Sequence, residues 1–422
     1  MSDTVDLIWN GFRICRVRDP LGSFFRLPQS ENAALPELHL PEGCVVLPGF
    51  MDVHVHFREP GYEQKETIRT GSLAAARGGY TTVCTMPNLE PAPDNAAHLA
   101  TQLRAIQQDG VIRILPWGTI TRKRAGRELS DMEQIAELTA GFSDDGSGVQ
   151  DEQVMRDAML RAKSLKKCIS AHCEDTSLLR PDWCVHDGQY ARLHALPAND
   201  PASEWSQVKR DLRLAEETGC SYHVCHISSR ESVRLIRKAK SRGVDVTCET
   251  APHYLLLDDS MLRDEGNFRM NPPIRSREDC EALLEGIVDG TIDMIATDHA
   301  PHTKKEKAGG LRGSLNGIVG LETAFPVLYT KLVKEGVISL RRLMELMSLA
   351  PRGRFGDGIQ QDPTGDYTIF DLSDGYAVDP EEFCSMGHSS PFIGWEVYGR
   401  CLLTVCNGKT AWVDPQRIKT DK

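Results

Sequence analysis

Residues 54 and 56 are both histidine, in His54-Val55-His56 at the end of an apolar run that opens at Cys44. Side chains two apart on a strand point to one face, so the two imidazoles converge on one point and suit a metal ion. A half-buried strand can also carry two hydrogen-bonded histidines with no metal; the placement of the other histidines weighs between the two. Of 13 histidines, His172, His223, His226, His299 and His302 stand at or just beyond the ends of expected strands. Asp145 in Phe142-Ser143-Asp144-Asp145-Gly146 and Asp298 in Thr297-Asp298-His299-Ala300-Pro301-His302 hold comparable positions. Taken singly, Asp144-Asp145-Gly146 reads as a turn and Asp298 as a helix cap. Together they ask for several coincidences. Four histidines and two carboxylates suit two divalent ions about 3.5–4 Å apart, and nitrogen-rich ligation favours zinc. Two ions sharing a water make hydroxide available at neutral pH, and a nearby carboxylate can carry the proton to a leaving amide nitrogen. This is chemistry for opening or closing an amide.

Such a site needs strands whose ends meet. Between about 49 and 355, apolar β-branched runs (80–86, 168–171, 221–225, 244–248, 292–296) alternate with amphipathic stretches such as 95–108. That alternation argues for an α/β architecture with parallel strands, either an open sheet or an eight-fold barrel. In a barrel, the C-terminal strand ends converge on the active site. No GxGxxG follows a first strand, which weakens a dinucleotide-binding version. Residues 1–48 and the stretch from about 360 onward read as short strands and turns, able to form one β module from both ends of the chain.

A chain of 422 residues, at about 150 per domain, fits two to three domains or one large barrel with an added module. With 60 acidic against 49 basic side chains the net charge is -11, so a phosphate-tracking surface has no support and no nucleic-acid partner is expected. Met1-Ser2-Asp3-Thr4-Val5-Asp6 lacks the basic and apolar regions of a signal peptide, and no stretch approaches the roughly 18 apolar residues of a membrane span. The expectation is a cytoplasmic protein without membrane contact. The 13 scattered cysteines, with no CxxC pair, read as buried reduced thiols.

Several motifs carry a family resemblance. Asp52-Val53-His54-Val55-His56-Phe57-Arg58-Glu59-Pro60-Gly61, Met86-Pro87-Asn88, Ser143-Asp144-Asp145-Gly146, Ala171-His172-Cys173-Glu174, Cys225-His226-Ile227-Ser228, Glu249-Thr250-Ala251-Pro252-His253-Tyr254, Asn271-Pro272-Pro273-Ile274-Arg275 and Thr297-Asp298-His299-Ala300-Pro301-His302 occur in this order. From about 42 to 413 the chain resembles dihydroorotases of the bacterial type I class, in the amidohydrolase superfamily. The resemblance implies a distorted (β/α)8 TIM barrel over 49–355 and a small β-sandwich made from 1–48 and 356–422. It implies reversible cyclisation of N-carbamoyl-L-aspartate to L-dihydroorotate in pyrimidine biosynthesis, with two Zn2+ per subunit. By position, His54 and His56 match ligands of the more buried metal, Asp145 a carboxylate that approaches or bridges the pair, and His172 and His226 ligands of the second. Asp144 competes with Asp145 for its role; the spacing of Asp145 to His172 fits the family better. Asp298 matches the residue that contacts a metal and acts as general acid/base. Arg58, Asn88, Asn271 and His302 match substrate-binding positions, whereas His223 and His299 have no assigned role. Read without the family, Arg58 suits a surface ion pair with Glu59 or Glu63, and Asn271 a turn. The family also implies a homodimer and association with aspartate transcarbamoylase.

The segment 304–323, rich in glycine and charge, reads as a mobile flap after Asp298. Family members usually carry Ala-Pro where this chain has Ser314-Leu315, and losing proline adds backbone freedom, which bears on substrate preference. Hydantoinases and allantoinases are rivals on the same fold, but typically bridge their metals with a carbamylated lysine; here the corresponding region is 142–146, and Lys163, Lys166 and Lys167 lie in a charged helical pattern. A scaffold that associates with aspartate transcarbamoylase without catalysis would lack ligands that this chain keeps, and a metal-storage protein leaves Arg58 and Asn271 unexplained.

Overall fold

The computed structural model describes residues 4–22, 35–356 and 365–418; the parts of the expected terminal module at 1–3, 23–34, 357–364 and 419–422 lie outside the described residues. Eight parallel strands form the centre: β1 (Phe50–Val55), β2 (Tyr80–Thr85), β3 (Arg113–Pro116), β4 (Gly141–Phe142), β5 (Cys168–Ala171), β6 (Tyr222–Val224), β7 (Val246–Thr250) and β8 (Met294–Ile295). Strands β1 to β3 pair in one group and β4 to β8 in another. Single parallel bridges join the groups, Gly118 to Phe142 and Val55 to His299. At these seams Gly118 N donates to Gly141 O (3.0 Å) and His56 N to His299 O (2.8 Å). The ring closes as a (β/α)8 barrel, distorted where only single bridges hold it.

Every residue of β1 and β2 is buried, as expected of parallel strands covered on both faces. The crossover helices start at side-chain caps: Thr67 before Ile68–Arg77, Asn95 before Ala96–Asp109, Asp151 before Glu152–Ser164, Ser229 before Arg230–Ser241 and Ser276 before Arg277–Asp289. Each cap satisfies orphan amides where a loop leaves a strand end, which fixes the loop that carries the site residues.

Both ends of the chain supply a second sheet of seven strands. Cys44–Pro48 pairs antiparallel with Tyr367–Ala377, which pairs in turn with Glu396–Cys406. Leu7, Ile14, Val46, Ile369 and Leu403 pack into a core of their own. The apolar run that ends in the paired histidines is two strands and not one, because the chain crosses from this sheet into β1 at Gly49. A Cβ there would sit 2.3 Å from Thr81 Cγ2, so the crossing is open to glycine alone. The junction is sealed by Phe50, whose ring centroid lies 5.3 Å from Phe325, 5.6 Å from Phe370 and 5.5 Å from Tyr80.

All 13 cysteines are free and ten of them are buried, matching the reading as reduced thiols. Among the described residues no helix is long and apolar enough to cross a membrane.

Truncating the fully buried Phe50 to alanine is expected to cost about 3–5 kcal/mol, read by chemical denaturation. A loss below about 1 kcal/mol would contradict the packing of barrel against terminal sheet.

Candidate metal centre and substrate pocket

The six expected ligands come together at the C-terminal ends of the barrel strands. His54 lies on β1 and His56 just past it; Asp145 follows β4, His172 follows β5, His226 follows β6 and Asp298 follows β8. All six are buried. Five of them form two groups of possible ligands, His54–His56–Asp145 and Asp145–His172–His226, which share Asp145. Asp145 Oδ1 is 3.4 Å from His54 Nε2 and 3.7 Å from both His172 Nδ1 and His226 Nε2, while Oδ2 is 3.6 Å from His56 Nε2. Asp298 Oδ1 lies 3.1 Å from His56 Nε2 and 3.5 Å from His54 Nε2. Two of the six hold left-handed backbone, His226 at φ 29° and Asp298 at φ 48°. Such strain outside glycine gathers at functional sites.

Asp144 faces elsewhere. Its Oδ1 accepts from the amides of Ile120 (2.9 Å) and Thr121 (3.1 Å), and the Thr121 hydroxyl donates to its other oxygen. It ties two loops together and leaves the centre to Asp145.

These side chains fit divalent metal. His54 Nε2 and Asp145 Oδ1 are buried, face one another, and have no hydrogen-bond partner, a state that costs free energy unless a cation takes both. Burial alone would raise the Asp145 carboxyl, but the imidazoles of His54 and His226 packed against it outweigh burial and hold it well below the usual carboxylate range. Burial, aided by the Arg58 charge, pushes His56 down to about 4, so its imidazole is neutral and able to ligate.

The ligands stand on supports that the histidine pattern did not expose. Glu249, fully buried on β7, accepts from His54 Nδ1 (2.8 Å), His223 Nε2 (3.1 Å) and the His226 amide (3.2 Å). This leaves His54 Nε2 unprotonated toward the centre, as a carboxylate behind a metal-binding histidine does. Burial would raise Glu249, but hydrogen bonds from His223 and His54 bring it to about 2. Asp52 accepts from the His54 amide (2.9 Å) and the Thr297 amide (3.0 Å), linking β1 to the turn that carries Asp298. A signal for it was present: Asp52, His54 and His56 share one face of the strand. His223 thus serves as a support, held also by Thr247 Oγ1 at 2.8 Å, and His299 bonds Glu66 across 3.3 Å while its main chain closes the barrel.

Above the centre lies a cavity of about 200 Å³, lined by five of the six ligands and by Arg58, Asn88, Asn271, His302, Asn316 and Gly317. Drug-sized pockets run about 300–1,000 Å³, so this one suits a small metabolite. Arg58 Nε donates to Pro301 O (3.3 Å), and among the described residues no carboxylate pairs with it. Glu59 and Glu63 instead accept from the amides of Ile68 and Gly61, so the surface ion pair does not form. Asn88 Nδ2 donates to Asp145 O (2.9 Å) and Asn271 Nδ2 to Glu174 Oε1 (3.0 Å). His302 Nε2 donates to Asn316 O (2.7 Å) and its Nδ1 accepts from Lys65 Nζ (3.3 Å); burial and the charges of Arg58 and Lys65 keep the ring neutral, at about 3.

The segment 304–323, read from sequence as a mobile flap, is packed against the site and not a freely solvated loop. Leu311 and Ile318 are buried, Ile318 bridges His299, and the Lys307 ammonium is sunk among backbone carbonyls. A charge-rich stretch reads as solvated unless its cation finds internal acceptors, which Lys307 does.

A family profile described as Dihydro-orotase-like matches residues 43–232. The dihydroorotase of Bacillus cereus is 46% identical over 396 residues, 93% of this chain and 92% of its own length. That of Bacillus cytotoxicus is 46% identical over 388 residues, 91% and 90% of the two chains. Among solved structures, the L-hydantoinase from Arthrobacter aurescens superposes with a TM-score of 0.78 at 25% identity, covering 96% of this chain and 91% of that one. The D-hydantoinase from Thermus sp. gives 0.77 at 24% identity, over 94% and 91%. The barrel is shared with these enzymes.

Replacing Glu249 by glutamine removes the charge behind His54, and is expected to weaken metal retention about 10–100-fold, measured by metal content after dialysis against graded chelator. Unchanged retention would show that Glu249 does not support the ligand.

Proposed function

The chain belongs to the dihydroorotase family, and from that premise we propose that it interconverts N-carbamoyl-L-aspartate and L-dihydroorotate, a step of de novo pyrimidine (UMP) biosynthesis. The observation that carries the reading is the Arg58 guanidinium, unpaired with any carboxylate among the described residues, in the same small cavity as the histidine and aspartate ligands.

His54, His56, Asp145, His172, His226 and Asp298 would hold two zinc ions, with Asp145 common to both. Zinc bound there would supply a nucleophilic water at neutral pH and polarise the carboxyl or ring-amide oxygen. Asp298 is the general acid/base. In ring closure the ureido nitrogen attacks the side-chain carboxyl, and the Asp298 carboxylate accepts that nitrogen's proton as water is lost. In ring opening it returns a proton to the departing nitrogen. The planar fork of Arg58 suits the substrate carboxylate that takes no part in closure, with Asn88, Asn271 and His302 completing the contacts.

The hydantoinase reading finds less support. Among the described residues no lysine lines the cavity; Lys163 Nζ donates to Thr218 O and Lys167 Nζ to Thr139 O, away from the ligands. The complete ligand set favours an active enzyme over a scaffold. We assign 1–48 and 356–422 to one composite β domain and 49–355 to the catalytic barrel. Family likeness supports a cytoplasmic homodimer able to associate with aspartate transcarbamoylase.

Purified metal-replete protein is expected to open dihydroorotate with a kcat/KM at least about 100-fold above that for hydantoin or allantoin, the discrimination of a site whose charged group needs a partner. The reverse preference would overturn the assignment. Asp298→Asn should lower kcat by about 10²–10⁴, measured by steady-state turnover, and a kcat within about threefold of wild type would remove Asp298 from the proton transfer. Arg58→Met should raise KM for dihydroorotate about 10–100-fold, from the roughly 1.5–3 kcal/mol of a charged hydrogen bond. An unchanged KM would free Arg58 of its role.

A further inference from the structure

Lys307 is only 7% exposed, although it lies in the most charged loop near the site. Its ammonium donates to three main-chain carbonyls: Arg269 at 3.0 Å, Leu315 at 2.8 Å and Gly317 at 2.7 Å. An ammonium has three donors, and each finds an acceptor here. No carboxylate pairs with Lys307 among the described residues, so its charge rests on carbonyl dipoles, an arrangement that costs free energy and needs a structural return.

The three carbonyls belong to two walls of the cavity. Arg269 stands two residues before Asn271, and Leu315 and Gly317 flank Asn316; Asn271, Asn316 and Gly317 all line the cavity. Gly317 N also donates to Arg269 O (3.0 Å). Gly317, at φ +135°, brings the loop so close to the segment after Asp298 that a Cβ would lie 2.5 Å from Ala300 O. The Asn316 carbonyl receives the His302 bond described above. Without the ammonium, the Leu315 and Gly317 carbonyls would lose this donor, and the main-chain bond from Gly317 N to Arg269 O would be left to hold the two walls there.

We propose that Lys307 is a positioning residue: its ammonium ties the Asn271 wall to the Asn316–Gly317 wall and so sets the width of the cavity that takes the substrate. The proposal rests on the reading of that cavity as the dihydroorotate site.

The test compares wild type, Lys307→Met and Lys307→Gln, each metal-replete, by steady-state kinetics with dihydroorotate, metal content and amide deuterium exchange. For Lys307→Met, KM rises at least about tenfold while kcat stays within about threefold, the pattern of lost substrate positioning. Metal content is unchanged, and faster exchange is confined to 266–271 and 303–317. Lys307→Gln, which keeps an N–H donor, gives an intermediate KM and decides the matter alone if the methionine variant fails to fold. A KM within about twofold of wild type overturns the proposal, as does an equal fall in kcat with loss of metal, which marks a general structural role. Should wild type leave dihydroorotate untouched, the functional reading fails instead. Exchange at the two walls then still judges Lys307, with localised acceleration upholding the tie and unchanged exchange overturning it.

Discussion

One buried carboxylate organises this molecule. Asp145 sits within 3.4–3.7 Å of four imidazoles delivered by three different strands, and Asp298 approaches the first two from a fourth. Bringing so many ionisable groups into a closed interior is unfavourable unless their charges and lone pairs answer one another. The barrel makes this possible because its parallel strands end at the same face, so residues far apart in the chain meet without long excursions. The two seams where the ring holds by a single bridge fall beside β4 and β8, the shortest strands, and these carry the two aspartates.

The candidate ligands are held in place by a further set of charges. Glu249 sets the tautomer of His54 and touches the backbone of His226, while Asp52 joins the first strand to the last. A carboxylate behind an imidazole raises its basicity and locks its rotation, so the support bears on the imidazole's strength as a donor as well as on its geometry. The same logic extends to the cavity above. Arg58 brings an unpaired positive charge, His302 is kept neutral between Lys65 and Asn316, and Lys307 joins two walls through main-chain carbonyls.

Much of this was legible from spacing. His54 and His56 declared a shared strand face, because that periodicity follows from backbone geometry alone, and histidines and aspartates at strand ends pointed to a site where strands meet, while the family resemblance chose the barrel over an open sheet. The family resemblance supplied the proposed roles of Asn88, Asn271 and His302, which no periodicity marks. What stayed hidden were contacts made across the ring. Glu249 looks like an ordinary polar residue in a strand until His54, some 195 positions away, is seen to donate to it. Asp144 and Asp145 are adjacent and alike; the spacing to His172 favoured Asp145 by family likeness, and the Ile120 and Thr121 amides that occupy Asp144 give the physical reason. The run from Cys44 read as one strand because apolar character continues through Gly49, while the steric demand of Thr81 on that glycine is tertiary. Lys307 was passed over for the same reason, since its acceptors are carbonyls and carbonyls have no sequence signature.

The proposed role of Asp145, common to two metal ions at the mouth of the barrel, can be seen directly. Anomalous diffraction from crystals of the zinc-loaded protein tests it directly. Two peaks are expected about 3.5–4 Å apart, one beside His54 and His56, the other beside His172 and His226, with Asp145 between them. A single peak, or a pair that leaves Asp145 uncoordinated, would contradict it.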